Sequence, residues 1–86
     1  MTPDGMRFIR SAQFKRSYKK APPAIQDRTK KALRLLAQDA RHPSLQAKIV
    51  DPEKRIWQAR VNGGWRFYFQ VDRGVCYLLD LISHPK

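Results

Sequence analysis

Two arginines carry the clearest chemical signal in the sequence. In the stretch IWQARVNGGWRFYFQVDRG, Arg60 and Arg66 flank Asn62-Gly63-Gly64, a hairpin signature whose residues accept positive φ. A period of two places both arginines on one face of adjacent strands, where cross-strand or diagonal neighbours lie within roughly 5 to 8 Å. Guanidiniums that close repel one another unless an anion sits between them, and a phosphate accepts a bidentate pair of hydrogen bonds from each. Tyr68 shares their face and can stack on a base, as aromatic side chains do with single-stranded RNA. A second reading stays open, in which the arginines pair with Asp51, Glu53 or Asp80 on an exposed sheet face. His84 follows the last strand, and its near-neutral intrinsic pKa makes it the candidate for proton transfer. A histidine so placed can also be merely exposed. His42, before Pro43, reads as a turn or packing residue. Tyr77 reads as core, and Cys76 as a buried, inert thiol.

The other constellations of catalysis are missing from the pattern. The sequence has two histidines, each followed by proline, and seven acidic residues scattered mainly over turns and helices. No metal-ligand spacing, Ser-His-Asp arrangement or phosphate-cradling glycine loop is suggested, so neither a metal nor a small-molecule cofactor is expected.

Charge points to a partner. Eighteen Lys plus Arg against seven Asp plus Glu leave +11 on 86 residues. Solubility alone seldom needs more than a net charge of about 8 in a small domain. A polyanion is the expected counterpart, either nucleic acid, through counterion release, or an acidic protein. The length fits one domain over residues 1–86, one that buries roughly 60 to 65% of its unfolded surface. Apolar content is 42%, and the mean hydropathy is -0.64. No apolar run approaches the roughly 20 residues of a membrane span. The N-terminal MTPDGMRFIRSAQF lacks signal-peptide features, and the single cysteine agrees with a reducing compartment. The expectation is a cytoplasmic protein without membrane contact.

The elements that must hold the arginines follow from periodicity. Met6 to Arg10 alternates weakly, as a short edge strand does. Ser11 can cap a helix running to Lys20, with Phe14, Tyr18 and Ala21 at helical spacing. Pro22 and Pro23 stop it, and proline suits the first turn of the next helix. That helix extends from about Pro23 to Asp39. Ile25, Thr29, Ala32, Leu33, Leu36 and Ala40 form its apolar stripe, leaving Arg28, Lys30, Lys31 and Arg34 on the other side. His42-Pro43 breaks the pattern, and Lys48 to Arg55 reads as a loop around Asp51-Pro52. Trp57, Ala59 and Val61, then Trp65, Phe67, Phe69 and Val71, face the core. After a turn at Asp72-Arg73-Gly74, Val75 to Ser83 is apolar on both faces, as a central strand is. The fold class is α+β in the order β-α-α-β-β-β, with a helical hairpin on one face of a mainly antiparallel four-stranded sheet.

The segments QFKRSYKKAPPAIQDRTKKALRLLAQDARHPSLQAK and IWQARVNGGWRFYFQVDRGVCYLLDLISH resemble the RelE/ParE superfamily of bacterial type II toxins, more closely its RelE-like mRNA interferases. The HPSL turn, the IW-x-A-R-V strand and the W-R-F-Y-F strand carry the likeness, which spans nearly the whole chain. The resemblance implies a ribosome-dependent, metal-independent endoribonuclease that inhibits translation by promoting attack of a ribose 2′-hydroxyl on the adjacent phosphate. Arg66 then contacts the scissile phosphate, Arg60 serves proton transfer or charge stabilisation, and His84 stands in for the family's C-terminal acid. Contacts to RNA and the ribosome are expected from Gln58, Tyr68, Lys48, Lys54, Arg55, Lys30, Lys31 and Arg34. Partners are the ribosome, mRNA and an acidic cognate antitoxin that folds on binding. Gln58 departs from the charged residue often found at its position, and relatives usually continue beyond the last strand. Two alternatives follow, a ParE-like inhibitor of DNA gyrase and a non-catalytic module binding nucleic acid or antitoxin.

Overall fold

A computed structural model describes residues 6–83, so His84 lies outside the described residues. Strand β1 (Arg7–Arg10) leads into α1 (Ala12–Lys20) and α2 (Pro23–Gln38). A 3-10 turn (Pro43–Leu45) precedes β2 (Lys48–Asp51), β3 (Ile56–Asn62), β4 (Trp65–Asp72) and β5 (Val75–Ser83). The sheet has five strands in the order β1-β5-β4-β3-β2. β1 runs parallel to β5, and the remaining pairs are antiparallel.

One expectation needs correction: Lys48 to Arg55 is not wholly a loop, and the sheet has five strands rather than four. Lys48 and Ile49 pair with Gln58 and Trp57 before a register shift brings Asp51 opposite Ile56. Pro52 then ends the strand. Four residues followed by a proline give too short an alternation to separate an edge strand from a loop.

Ser11 performs two tasks at the first junction. Its Oγ accepts from the Phe14 N–H at 3.0 Å, capping α1, and donates to the Leu79 carbonyl at 2.9 Å. The pairing of β1 with β5 ends at Leu78, so the cap fastens α1 where the edge of β5 becomes free. Here β5 is irregular, with the register shifting between Tyr68 and Phe69 of its partner. The Asp80 carboxylate consolidates the irregularity, accepting from Ser17 Oγ at 2.7 Å and from the Leu81 N–H at 2.8 Å. At the helical hairpin the Tyr18 carbonyl, which Pro22 cannot serve, accepts from the Ala21 N–H at 3.1 Å and from Gln26 Nε2 at 2.8 Å.

Helix α2 buries the predicted stripe, Ile25, Thr29, Ala32, Leu33 and Leu36, whereas Ala40 lies beyond the helix and is exposed. Thr29 is tolerated inside because its hydroxyl donates to the Ile25 carbonyl at 2.7 Å. These residues pack with Phe14, Leu45, Ala59, Phe67, Phe69, Cys76, Leu78 and Leu81 into one core. β5, flanked by β1 and β4, is interior to the sheet as its sequence suggests.

The two tight turns reverse the expected use of glycine. At the β3–β4 turn neither glycine has positive φ; instead Asn62 Oδ1 accepts from the Gly64 N–H at 2.8 Å, an Asx turn. At the β4–β5 turn Arg73 and Gly74 have φ of 51° and 80° between the paired Asp72 and Val75, the mark of a type I′ hairpin. Gly74→Ala meets no steric neighbour, so its cost is the left-handed backbone alone. We expect a loss of about 1 kcal/mol, read as a lower urea midpoint at unchanged m.

Candidate nucleic-acid interface

The core face of β3 and β4 holds Ala59 and Phe67, paired in register, both fully buried. Alternation therefore turns the neighbouring residues to the opposite face. There Arg60 stands directly opposite Arg66, and Gln58 opposite Tyr68. The row continues across the sheet, with Lys48 paired to Gln58 and Asp80 to Tyr68. Arg60, Arg66, Gln58 and Tyr68 are half-buried, and Lys48 is exposed. Five of the candidate residues thus come together on one face.

Like charges directly opposite each other across a ladder are destabilising. Two of the acids that could relieve the arginines are engaged elsewhere. Asp80 Oδ1 accepts from Ser17 and Leu81, and Asp51 Oδ1 accepts from the Lys54 N–H at 3.1 Å. Arg60 also folds over the hairpin turn, so that a Cβ built at Gly63 would lie 3.8 Å from its Nη2. At this irregular end of β3, where the register shifts between Arg60 and Asn62, Arg60 further borders a cavity of about 170 Å3 shared with Arg28, Lys31 and Ser44.

Other candidates lie apart. Lys54 and Arg55 occupy the β2–β3 turn, where Gln70 Nε2 donates to the Lys54 carbonyl at 2.7 Å. Arg55 is separated from Arg60 by five residues of extended chain, roughly 17 Å. Lys30 and Arg34 sit on α2, exposed and away from its buried stripe, whereas Lys31 reaches the Arg60 cavity. Arg28 and Ser44 in that cavity were not among the candidates. The usable signal was the 28, 31, 35 spacing along one side of α2, next to the HPSL turn.

Two further expectations change. Trp57 and Val71 share the core face by register, yet are 37% and 42% exposed. They line an apolar groove of about 490 Å3 with Met6, Ile49 and Phe69, at the end of the sheet that the helices leave open. Trp57 stacks on Phe69 there, with centroids 6.3 Å apart. Tyr77 is exposed rather than core, because Cys76 and Leu78 take the inward positions opposite Val71 and Phe69.

Cys76 matches its reading as an inert thiol. Burial pushes its pKa up to about 12 from 9.0, so the neutral thiol is favoured by folding. In the unfolded chain it ionises near its ordinary value, so this contribution to stability is intact below pH 9.0 and is lost as pH rises toward about 12. At pH 8 we expect a thiol reagent to label Cys76 only as fast as the protein opens, and labelling at the free-thiol rate in native buffer would contradict its burial.

Among the described residues no helix is long and apolar enough to cross a membrane. No protein-family model and no curated protein matches the sequence. Solved structures do resemble it. A chain of the archaeal RelE–RelB complex from Pyrococcus horikoshii superposes with a TM-score of 0.78 at 16% identity, covering 95% of this chain and 98% of that one. A YoeB/ParE toxin from Agrobacterium tumefaciens gives 0.76 at 9% identity over 93% and 100% of the two chains. The DinJ–YafQ toxin-antitoxin complex from E. coli gives 0.76 at 15% identity over 92% and 93%. With near-complete coverage in both directions, the chain has the fold of the RelE/ParE superfamily of toxins.

Proposed function

We propose that the protein is the toxin of a type II toxin–antitoxin pair and acts in the cytoplasm as a ribosome-dependent, metal-independent mRNA endoribonuclease. The observation that carries this reading is the Arg60–Arg66 pair, in direct register on the sheet face opposite the core. The shared fold supports it. In the reaction the ribose 2′-oxygen bonds to the adjacent phosphorus, and the bond to the 5′-oxygen breaks. The products are a 2′,3′-cyclic phosphate and a 5′-hydroxyl. Arg66 and Arg60 donate hydrogen bonds to the phosphoryl oxygens and stabilise the charge that grows on them. Tyr68, two residues along from Arg66, offers a ring on which a neighbouring base stacks.

Neither arginine serves as the base, since guanidinium stays protonated at every accessible pH. Proton movement falls to His84 or to groups of the ribosome-bound RNA. The +11 charge suits an acidic antitoxin as well, and structures of this fold include complexes with the antitoxins RelB and DinJ.

The test is to translate a defined mRNA with the purified protein and map cut sites by primer extension, beside a gyrase supercoiling assay. New 5′ ends within translated codons, with supercoiling intact, are expected. Blocked supercoiling without cleavage would instead support the gyrase-inhibitor reading. Binding with a steep salt dependence and neither activity would leave a non-catalytic module.

A further inference from the structure

We propose that the notch between α2 and β3 is a second phosphate-binding subsite, separate from the Arg66 face and taking a backbone phosphate of RNA. Its walls come from three elements. α2 supplies Arg28 and Lys31, β3 supplies Arg60, and the 3-10 turn supplies the Ser44 hydroxyl. Three cations from two elements therefore surround about 170 Å3, and none of the described residues lining it is acidic. Asp27, the nearest acid along α2, is about 100° around the helix from Arg28 and about 40° from Lys31, and it does not line the cavity. Cations brought together without an internal counterion repel, and the arrangement is stabilised by an anion from outside.

The notch is built rather than incidental. Of its apolar lining, Ala32 and Leu45 are 5% and 0% exposed while Leu35 and Val61 are half-buried, so the floor beneath the cations is fixed by the core. The turn that presents Ser44 is pinned as well. His42 Nδ1 accepts from the Ser44 N–H at 3.1 Å, and the His42 carbonyl accepts from the Leu45 N–H at 3.0 Å. Two guanidinium forks, an ammonium and a hydroxyl suit a small tetrahedral oxyanion better than a planar carboxylate, which one guanidinium already satisfies. Arg28, Lys31 and Ser44 are exposed at the rim of the notch and Arg60 is half-buried, so these charge-assisted bonds weaken as salt rises.

Arg60 gives the notch its role. It borders the cavity while standing opposite Arg66 on the sheet, so one strand joins the two anion sites. A nucleic-acid strand crossing the hairpin end would place one phosphate at Arg66 and a later one in the notch. Arg28, Lys31 and Ser44 fix the path of the strand without contributing to chemistry, and Arg60 is shared between the notch and the scissile phosphate. It rests on the RNA-binding part of the proposed function and not on cleavage.

The test is an amide and arginine Nε NMR titration of the full chain with inorganic phosphate at constant ionic strength. Saturable shifts are expected at Ser44, Leu45 and Val61 and at the Arg28 and Arg60 Nε groups. In an Arg28→Gln/Lys31→Gln variant the Kd should rise at least 10-fold, and in Arg66→Ala the notch Kd should change less than 2-fold. A short single-stranded RNA should bind the Arg28→Gln/Lys31→Gln variant with a log K against log salt slope shallower by about 0.7, from one lost phosphate contact. Shifts that are diffuse and unsaturable, or a Kd unchanged in the double variant, would overturn the subsite. So would unchanged RNA affinity together with loss of binding to a poly-glutamate peptide, which would reassign the notch to an acidic protein. A chain that cleaves nothing can still pass this test, so the subsite and the nuclease reading fail independently.

Discussion

Replacing Arg66 by alanine lowers the single-turnover rate of mRNA cleavage on the ribosome by about 100- to 1000-fold, the usual loss when one preorganised donor to a developing oxyanion is removed. The fold should not suffer. Arg66 is half-buried, with Arg60 opposite it on β3 and Ile82 on β5, so its removal also relieves a like-charge pair. Thermal stability should stay within a few degrees of wild type or rise. Arg66→Lys separates two contributions, because lysine keeps the charge and loses the planar fork. It should recover part of the rate and not all of it. The check is a quench-flow or gel time course with saturating toxin, beside thermal melts of each variant.

Phe67→Ala should have the largest effect on stability, about 3 to 5 kcal/mol. Phe67 is fully buried between Ala59 and Leu81 and packs against Phe69 with ring centroids 5.6 Å apart. Such a loss is a large share of the 5 to 15 kcal/mol typical of a folded domain. Urea unfolding followed by tryptophan fluorescence gives the value directly, and Phe67→Leu should lose much less because most of the volume remains. Since Phe67 immediately follows Arg66 in the chain, its packing holds the guanidinium's strand in place. Activity in Phe67→Ala should therefore track the folded fraction as temperature is lowered. Full stability in this variant would mean that the sheet is held by something other than the core described.

Those two neighbours show why much of the fold was readable. Where a strand is buried on one face only, the period of two fixes both partners, so Phe67 inward and Arg66 outward follow from the same five letters, WRFYF. The same logic puts Arg60 and Arg66 on one face as cross-strand or diagonal neighbours, and the register makes them directly opposite. Ser11 was legible as a cap because a serine before a helical apolar pattern has few other uses. Its bond to Leu79 was not, since that depends on where β1 stops pairing.

The failures share a cause, namely tertiary coverage. Trp57 and Val71 have core-facing parity, but no sequence pattern says where a helix ends over a sheet. Tyr77 was misplaced because β5 is apolar at successive positions, which leaves parity undetermined. β2 was missed since KIVD is short and borders a proline. Nor could Arg28 be matched with Arg60 by reading either segment alone. The two are 32 positions apart, and they meet only because the HPSL turn returns the chain to the side of α2.

The most direct measurement compares wild type, Arg60→Ala, Arg66→Ala and the double variant on one mRNA stalled with a defined codon in the ribosomal A site, mapped by primer extension. Wild type should cut within that codon, and each single variant should be strongly impaired. The double variant should lose less than the product of the single losses, because both arginines act on one phosphate. Cleavage at wild-type rates in both single variants would contradict the account, showing that the paired arginines do not hold the scissile phosphate.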